Sequence, residues 1–184
     1  MKSKFLLAGL FAVILIPLGA RATVLEPLRI EDLARLAPLV VVGEVNQVKA
    51  ELNAEKTKIY TRVLVTPSEI LKGARDTGTV TIKTIGGKLA DRVAELPGAP
   101  QFEPGERVLV FLEPRKDGDG YNTLGLYLGK FSVVKDPHTG KEVLYRPKPG
   151  PGVMIRQAGL DFPLDDTRTL AAVREIVKRA GGAR

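Results

Sequence analysis

The sequence predicts a mainly β fold in which five or six strands close into a small barrel, with a short helix before them and a second helix at the end. Two observations carry this. Runs of β-branched and aromatic residues, punctuated by Gly, Pro and Asp-Gly, recur between Leu39 and Tyr145. Helical periodicity is confined to the flanks, at 28–37 and again around Leu170, Val173, Ile176 and Val177. No internal repeat or linker interrupts the pattern, so 23–184 is expected to form a single domain.

The first 22 residues read as an address. Lys2 and Lys4 precede an apolar run of 14 residues, and Ala20-Arg21-Ala22 is a small-x-small cleavage site. A membrane-spanning helix needs about 20 apolar residues, so cleavage before Thr23 is expected, leaving a soluble product without a membrane span. No cysteine follows the run to receive lipid. The expected location is the periplasm or the cell exterior.

Cleavage leaves 162 residues and removes three of 28 basic residues and none of 21 acids, so the net charge falls from +7 to +4. That is far from the dense cationic patch of a nucleic-acid binder, and no nucleic acid is expected. With no Cys and a single His, His138, a thiol nucleophile or a Cys/His metal centre cannot be assembled from one chain. No cofactor is implied.

Along the mature chain, Glu31 and Asp32 stand early in the first helix, where carboxylates suit the positive end of the dipole, and Pro38 stops it. Residues 39–49 begin apolar on both faces, as in a strand lying between a helix and a core. From 56 to 65 the chain alternates, with Thr57, Ile59, Thr61, Val63 and Val65 on one face and Lys56, Lys58, Tyr60, Arg62 and Leu64 on the other. Pro67 should interrupt this strand. A third strand follows at 78–85.

Residues 87–107 lack strand character and carry a short helical candidate at 88–96. A fourth strand spans 107–113. Asp117-Gly118-Asp119-Gly120 makes a hairpin turn into a long strand, 121–134, broken or bent at Gly125 and Gly129. A second turn around His138 leads to a short strand at 142–145, and the Pro-rich stretch 146–152 is an extended loop. The last helix is expected over 166–179, capped by Asp165 or Asp166.

Three strands, a longer connection and two more strands is the order of an OB-like closed barrel. The stretches LARLAPLVVVGEVNQV, IYTRVLVTPSEILKG, GTVTIKTIGG and PGERVLVFLEPRKDGDGY resemble the OB-like domains of the tissue inhibitor of metalloproteinases and netrin-module superfamily, and still more a group of exported bacterial proteins of unassigned function. The resemblance covers about 28–134. It implies a binding module rather than an enzyme, with a secreted metalloprotease as a partner class. The inhibitors' Cys-x-Cys start, which reaches the protease zinc, is absent; Thr23 and Val24 stand there instead.

The candidate surfaces are therefore few. Thr23 and Val24 would serve a protein partner. The cationic strand face Lys56, Lys58, Tyr60 and Arg62 would serve an anionic envelope polymer, pairing charge with a stacking ring. Phe102, in the long connection, is either a partner anchor or, with Leu89, Val93 and Leu96, a plug of the barrel bottom. Asp117-Gly118-Asp119-Gly120 lacks the further ligands of a calcium loop, and Gly86-Gly87-Lys88 lacks the spacing of a phosphate loop. His138 is expected to be exposed and inert. Carboxylate pairs at Asp91 with Glu95, or Asp161 with Asp165, are the one hydrolytic device that the composition permits.

Overall fold

The computed structural model describes residues 23–74, 78–147, 152–155 and 168–181. The expected signal segment, Asp161 and the proposed caps Asp165 and Asp166 lie outside them.

Strand β1 (Thr23–Leu25) precedes helix α1 (Ile30–Leu36). The Asp32 carboxylate accepts from the Arg29 N–H at 3.3 Å, closing the helix start, and Lys72 Nζ donates to the carbonyls of Ala34 and Arg35 at 2.8 and 3.1 Å, closing its end. Two long strands follow, β2 (Leu39–Leu52) and β3 (Ile59–Lys72), in one antiparallel ladder. Pro67 does not end β3. It pairs with Gly43 where the register slips, and β4 (Val80–Ile85) has stopped pairing by then, since its partners on β3 run only from Tyr60 to Val65. A proline without an N–H is tolerated at such an unpaired edge.

Register shifts between Val40 and Val41, Val42 and Gly43, and Val45 and Gln47 bend β2 so that it can wrap the barrel. At Gly43 the crossing is closest. A Cβ there would stand 2.5 Å from the Thr66 carbonyl oxygen and 2.8 Å from Val65 Cγ1.

The chain continues through β5 (Gly87–Leu89), β6 (Arg92–Ala94), β7 (Arg107–Pro114), β8 (Tyr121–Thr123), β9 (Lys130–Lys135), β10 (Glu142–Tyr145), β11 (Val153–Ile155) and helix α2 (Leu170–Gly181). The ring β7-β2-β3-β4-β8 closes on itself through the β7–β8 pairing, and β4 meets β8 in parallel. This is the mainly β, OB-like closed barrel that the sequence predicts. β9 and β10 lie outside the ring as an antiparallel extension on β7, and β11 pairs with β1. No helix among the described residues is long and apolar enough to cross a membrane.

One segment differs from expectation, and another takes one of its two expected forms. The 88–96 stretch is a hairpin, β5–β6, turning at Ala90 in a left-handed conformation. A nine-residue helix behind two glycines has no cap and is marginal alone, whereas strand pairing satisfies this backbone beside β2 and β3. The expected strand 121–134 runs antiparallel along β7 and is broken where its glycines lie: a 3-10 turn at Leu126–Gly129, entered from Gly125, divides it, so that β8 closes the barrel and β9 leaves it.

The strands β2 and β7 are apolar on both faces because two cores meet on them. Leu39, Val41, Val45, Val108, Val110 and Leu112 point into the barrel with Val63, Val65, Val80 and Ile82. Val40, Val42, Leu109 and Phe111 point outward, under α1 and α2. There Phe111 meets Phe131 edge to face, with centroids 6.0 Å apart. Leu170, Val173, Ile176 and Val177 supply the stripe of α2, as expected. Its start is held by Thr169, whose hydroxyl oxygen accepts from the Ala172 N–H at 3.2 Å.

Candidate functional site

The charged strand face is built by register. Arg62 on β3 stands directly opposite Lys83 on β4, and two like charges in that position repel. Two carboxylates resolve the conflict. Asp119, in the β7–β8 turn, accepts from both Arg62 terminal nitrogens at 3.0 Å and from Lys83 at 2.6 Å. Glu51, on β2, accepts from Arg62 at 3.0 Å and lies 3.5 Å from Lys83. The hydrogen bonds from Lys83 and Arg62 pull the Asp119 carboxyl down to about 2, and that of Arg62, with the nearby charge of Lys83, holds Glu51 below its ordinary range.

Tyr60 lies under this lattice, with Lys83 Nζ 5.0 Å and the Arg115 guanidinium carbon 5.6 Å from its ring centroid. Arg115 is in turn held by Asp117 at 2.6 Å and by Asn122 at 2.8 Å. Arg62, Lys83 and Arg115 thus face three carboxylates, with the exposed Lys49 opposite Arg62 on β2 as a fourth cation. Most of the charge of this face is met within it, and its ring is already occupied by this protein's own cations.

Lys56 and Lys58 do not join it. The strand begins at Ile59, and both lysines sit in the preceding turn, Lys56 in a left-handed conformation. Asn53 organises that turn by accepting from the Thr57 and Lys58 N–H groups, each at 2.8 Å. The signal for this was an Asn beside a charged, β-poor stretch. The signal for Asp119 was absent, because its partners lie 57 and 36 residues away.

The second candidate surface is one end of the barrel. Here the inward-facing side chains are small, Ala50, Thr61 and Thr84, and a cavity of about 660 Å³ opens between them, the β5–β6 hairpin and the segment 95–101. Thr61 donates to the Gly86 carbonyl at 2.8 Å, tying the hairpin to β3. Phe102 forms the inner wall. It is buried in the barrel core, with Lys130 Nζ 5.6 Å from its ring centroid. Lys130 is only 3% exposed. It is ion-paired to Glu106 and lies 3.1 Å from Ser132 Oγ, which itself donates to Glu106 at 2.5 Å.

Strand β1 borders the same end: a Cβ on Gly98, which lines the cavity, would lie 3.4 Å from Leu25 Cδ1. Thr23 pairs with Val153 and Val24 with Met154. Val24, Ile85 and Val93 are 54%, 48% and 60% exposed.

The remaining nominations fall elsewhere. Asp91 lies in the hairpin turn and Glu95 beyond β6, so they share no helix face. Asp161 and Asp165 are outside the described residues. Asp117 accepts from the Asp119 N–H at 3.1 Å, as a turn residue does. His138 is exposed, in a turn where its N–H donates to Asp136. Among the described residues no group of three His, Asp or Glu side chains could hold a metal ion. No family model matches the chain, and no curated protein matches it.

Proposed function

We propose that the protein is an exported, non-enzymatic binding module that engages another envelope or secreted protein through the β1 and β5–β6 end of its barrel. The observation that carries this is the exposure of Ile85 and Val93 at the mouth, together with Val24 on the strand whose next residue, Leu25, approaches Gly98 beside it. Burying the half of each side chain that is still exposed contributes about 0.7–1.5 kcal/mol each. A secreted metalloprotease is the partner class that the family resemblance brings to the reading, with Thr23 to Glu26 as the contacting start.

The alternative, an anionic polymer on the charged strand, is disfavoured because Arg62, Lys83 and Arg115 are each met by a carboxylate. The test is capture from the envelope and culture fluid of the source cells at low and high salt. The wild type and an Arg62→Gln variant should retain one partner at both salts, whereas Val24→Asp with Val93→Asp, or deletion of 23–26, should lose it. Recovery that collapses with salt and with Arg62→Gln, yet survives the apolar changes, would sink this reading and favour counterion-driven polymer binding.

A further inference from the structure

The same end of the barrel carries a feature that a protein interface does not require. Elsewhere the interior is filled by Val41, Val65, Val80, Ile82, Val110 and Leu112, as expected of a small barrel packed by its own side chains. Toward the mouth the inward positions fall to Ala50, Thr61 and Thr84; the hairpin packs its Gly87 backbone on the first two, and a cavity remains between these strands, the hairpin and the segment 95–102. The hairpin meets them at Gly87. A side chain there would bring its Cβ to 2.5 Å from Thr61 Oγ1 and 3.3 Å from Ala50 Cβ, so the roof stays bare of a plug.

About 660 Å³ is within the range of small-molecule sites, which favour barrel mouths and combine apolar walls with few polar groups. The apolar walls here are Val48, Ala50, Leu96, Pro100 and Phe102, and Thr84 and Lys130 are the buried polar residues of the lining. Its charge is already balanced by Glu106. A second anion at Lys130 would put two carboxylates against one buried ammonium, at a net electrostatic cost, and the other charges of the lining, Lys88 and Glu95, are exposed at the rim and opposite in sign. A hydroxyl or carbonyl oxygen adds no charge and can accept a hydrogen bond from the Lys130 ammonium or from the Thr84 hydroxyl, the Thr61 proton being given to the Gly86 carbonyl.

We propose that this cavity is a binding site for a small, uncharged, apolar molecule bearing one hydrogen-bond-accepting oxygen, of the class of a medium-chain alcohol or ketone. The cavity shares Ile85 and Val93 with the proposed protein-binding end, but its occupant can be read on the purified protein with no partner present. Apolar groups of such a molecule would displace loosely held water, the displacement that gains affinity.

The experiment uses the purified protein and the uncharged fluorophore N-phenyl-1-naphthylamine, displaced in turn by 1-decanol, 2-decanone and decanoate. The expected result is one saturable site, emptied by the alcohol and ketone at concentrations at least tenfold below those needed for decanoate. Ala50→Leu and Thr84→Ile, which fill the space from two different strands, should each weaken fluorophore binding at least tenfold while circular dichroism shows the barrel intact. Val134→Asp with Tyr145→Asp, which removes exposed apolar side chains outside the cavity, should leave binding unchanged. The proposal is overturned if no saturable site exists, if both folded filling variants bind as the wild type does, or if the surface variant abolishes binding. Decanoate displacing as well as decanol would overturn the uncharged class. Val24→Asp reports on the protein-binding reading alone, since Val24 does not line the cavity.

Discussion

Changing Asp119 to Asn keeps the shape of the side chain but removes the charge that Lys83 and Arg62 share. The carboxyl is held at about 2 against an ordinary 3.8, which at about 1.4 kcal/mol per unit sets a ceiling of about 2.5 kcal/mol. The side chain is 39% exposed, so solvent screening reduces this to about 0.5–1 kcal/mol. The sign follows from proton counting. Between pH 2 and pH 4 the unfolded chain binds the proton more readily than the folded one, so the contribution is complete above about pH 4 and is lost as the pH falls toward 2. Asp119→Asn should therefore lower the thermal midpoint at pH 7 by about 1–4 °C, and the gap to wild type should close by about pH 2. Thermal unfolding followed by circular dichroism at pH 7, 4 and 2 reads this directly. The same change leaves Arg62 and Lys83 facing only Glu51, so the variant should elute later than wild type from a heparin column. A gap that persists undiminished at pH 2, or no change in heparin retention, would refute the account of this face as a neutralised lattice.

Three further outcomes follow from packing. Phe111→Ala removes a ring that is fully buried between the sheet and the helices and should cost about 3–5 kcal/mol by urea denaturation. Lys130→Met strands the Glu106 carboxylate beside the barrel core, costing about 3–5 kcal/mol, whereas adding Glu106→Gln should recover part of that loss, a non-additivity that a double-mutant cycle measures. Gly43→Ala forces β2 away from the Thr66 carbonyl and should cost about 1–3 kcal/mol by the same unfolding measurement.

Where the sequence was informative, a local physical cause stood behind each element. Strands β2 and β7 announced two cores because Val40, Val41 and Val42, or Val108 through Leu112, are apolar without alternation, and only a strand covered on both sides tolerates that. Helix α2 declared its buried stripe by spacing alone. The errors arose where tertiary context outweighed local preference. Residues 88–96 have helical spacing, yet their backbone is satisfied by pairing as a hairpin beside β2 and β3. Pro67 is a strand breaker only if its missing N–H is needed, and on that side β4 has already ended. Strands β1 and β11 are three residues each, too short for alternation to show.

The site was harder to read because its chemistry depends on which residues face one another across the ring. Lys56, Lys58 and Arg62 look alike along the chain, but a turn ordered by Asn53 separates the two lysines from the strand, and Arg62 is claimed by carboxylates from β2 and from the β7–β8 turn. A cationic pattern in one strand therefore says little about the potential above it until the opposing strands are known. Burial gives the opposite lesson at the mouth. Ala50, Thr61 and Thr84 are unremarkable singly, being small residues in strands, and become informative only when barrel closure brings them to one level and leaves a space that no neighbouring side chain enters. A barrel selected only for stability would fill that level with Val or Ile, since each added buried methylene contributes about 0.8 kcal/mol. At Ala50 and Thr61 the bare Gly87 backbone packs in place of those methylenes, and Thr61 ties it down with a hydrogen bond, so Thr84 is the position at which added bulk enters the cavity itself and tests the proposed occupant.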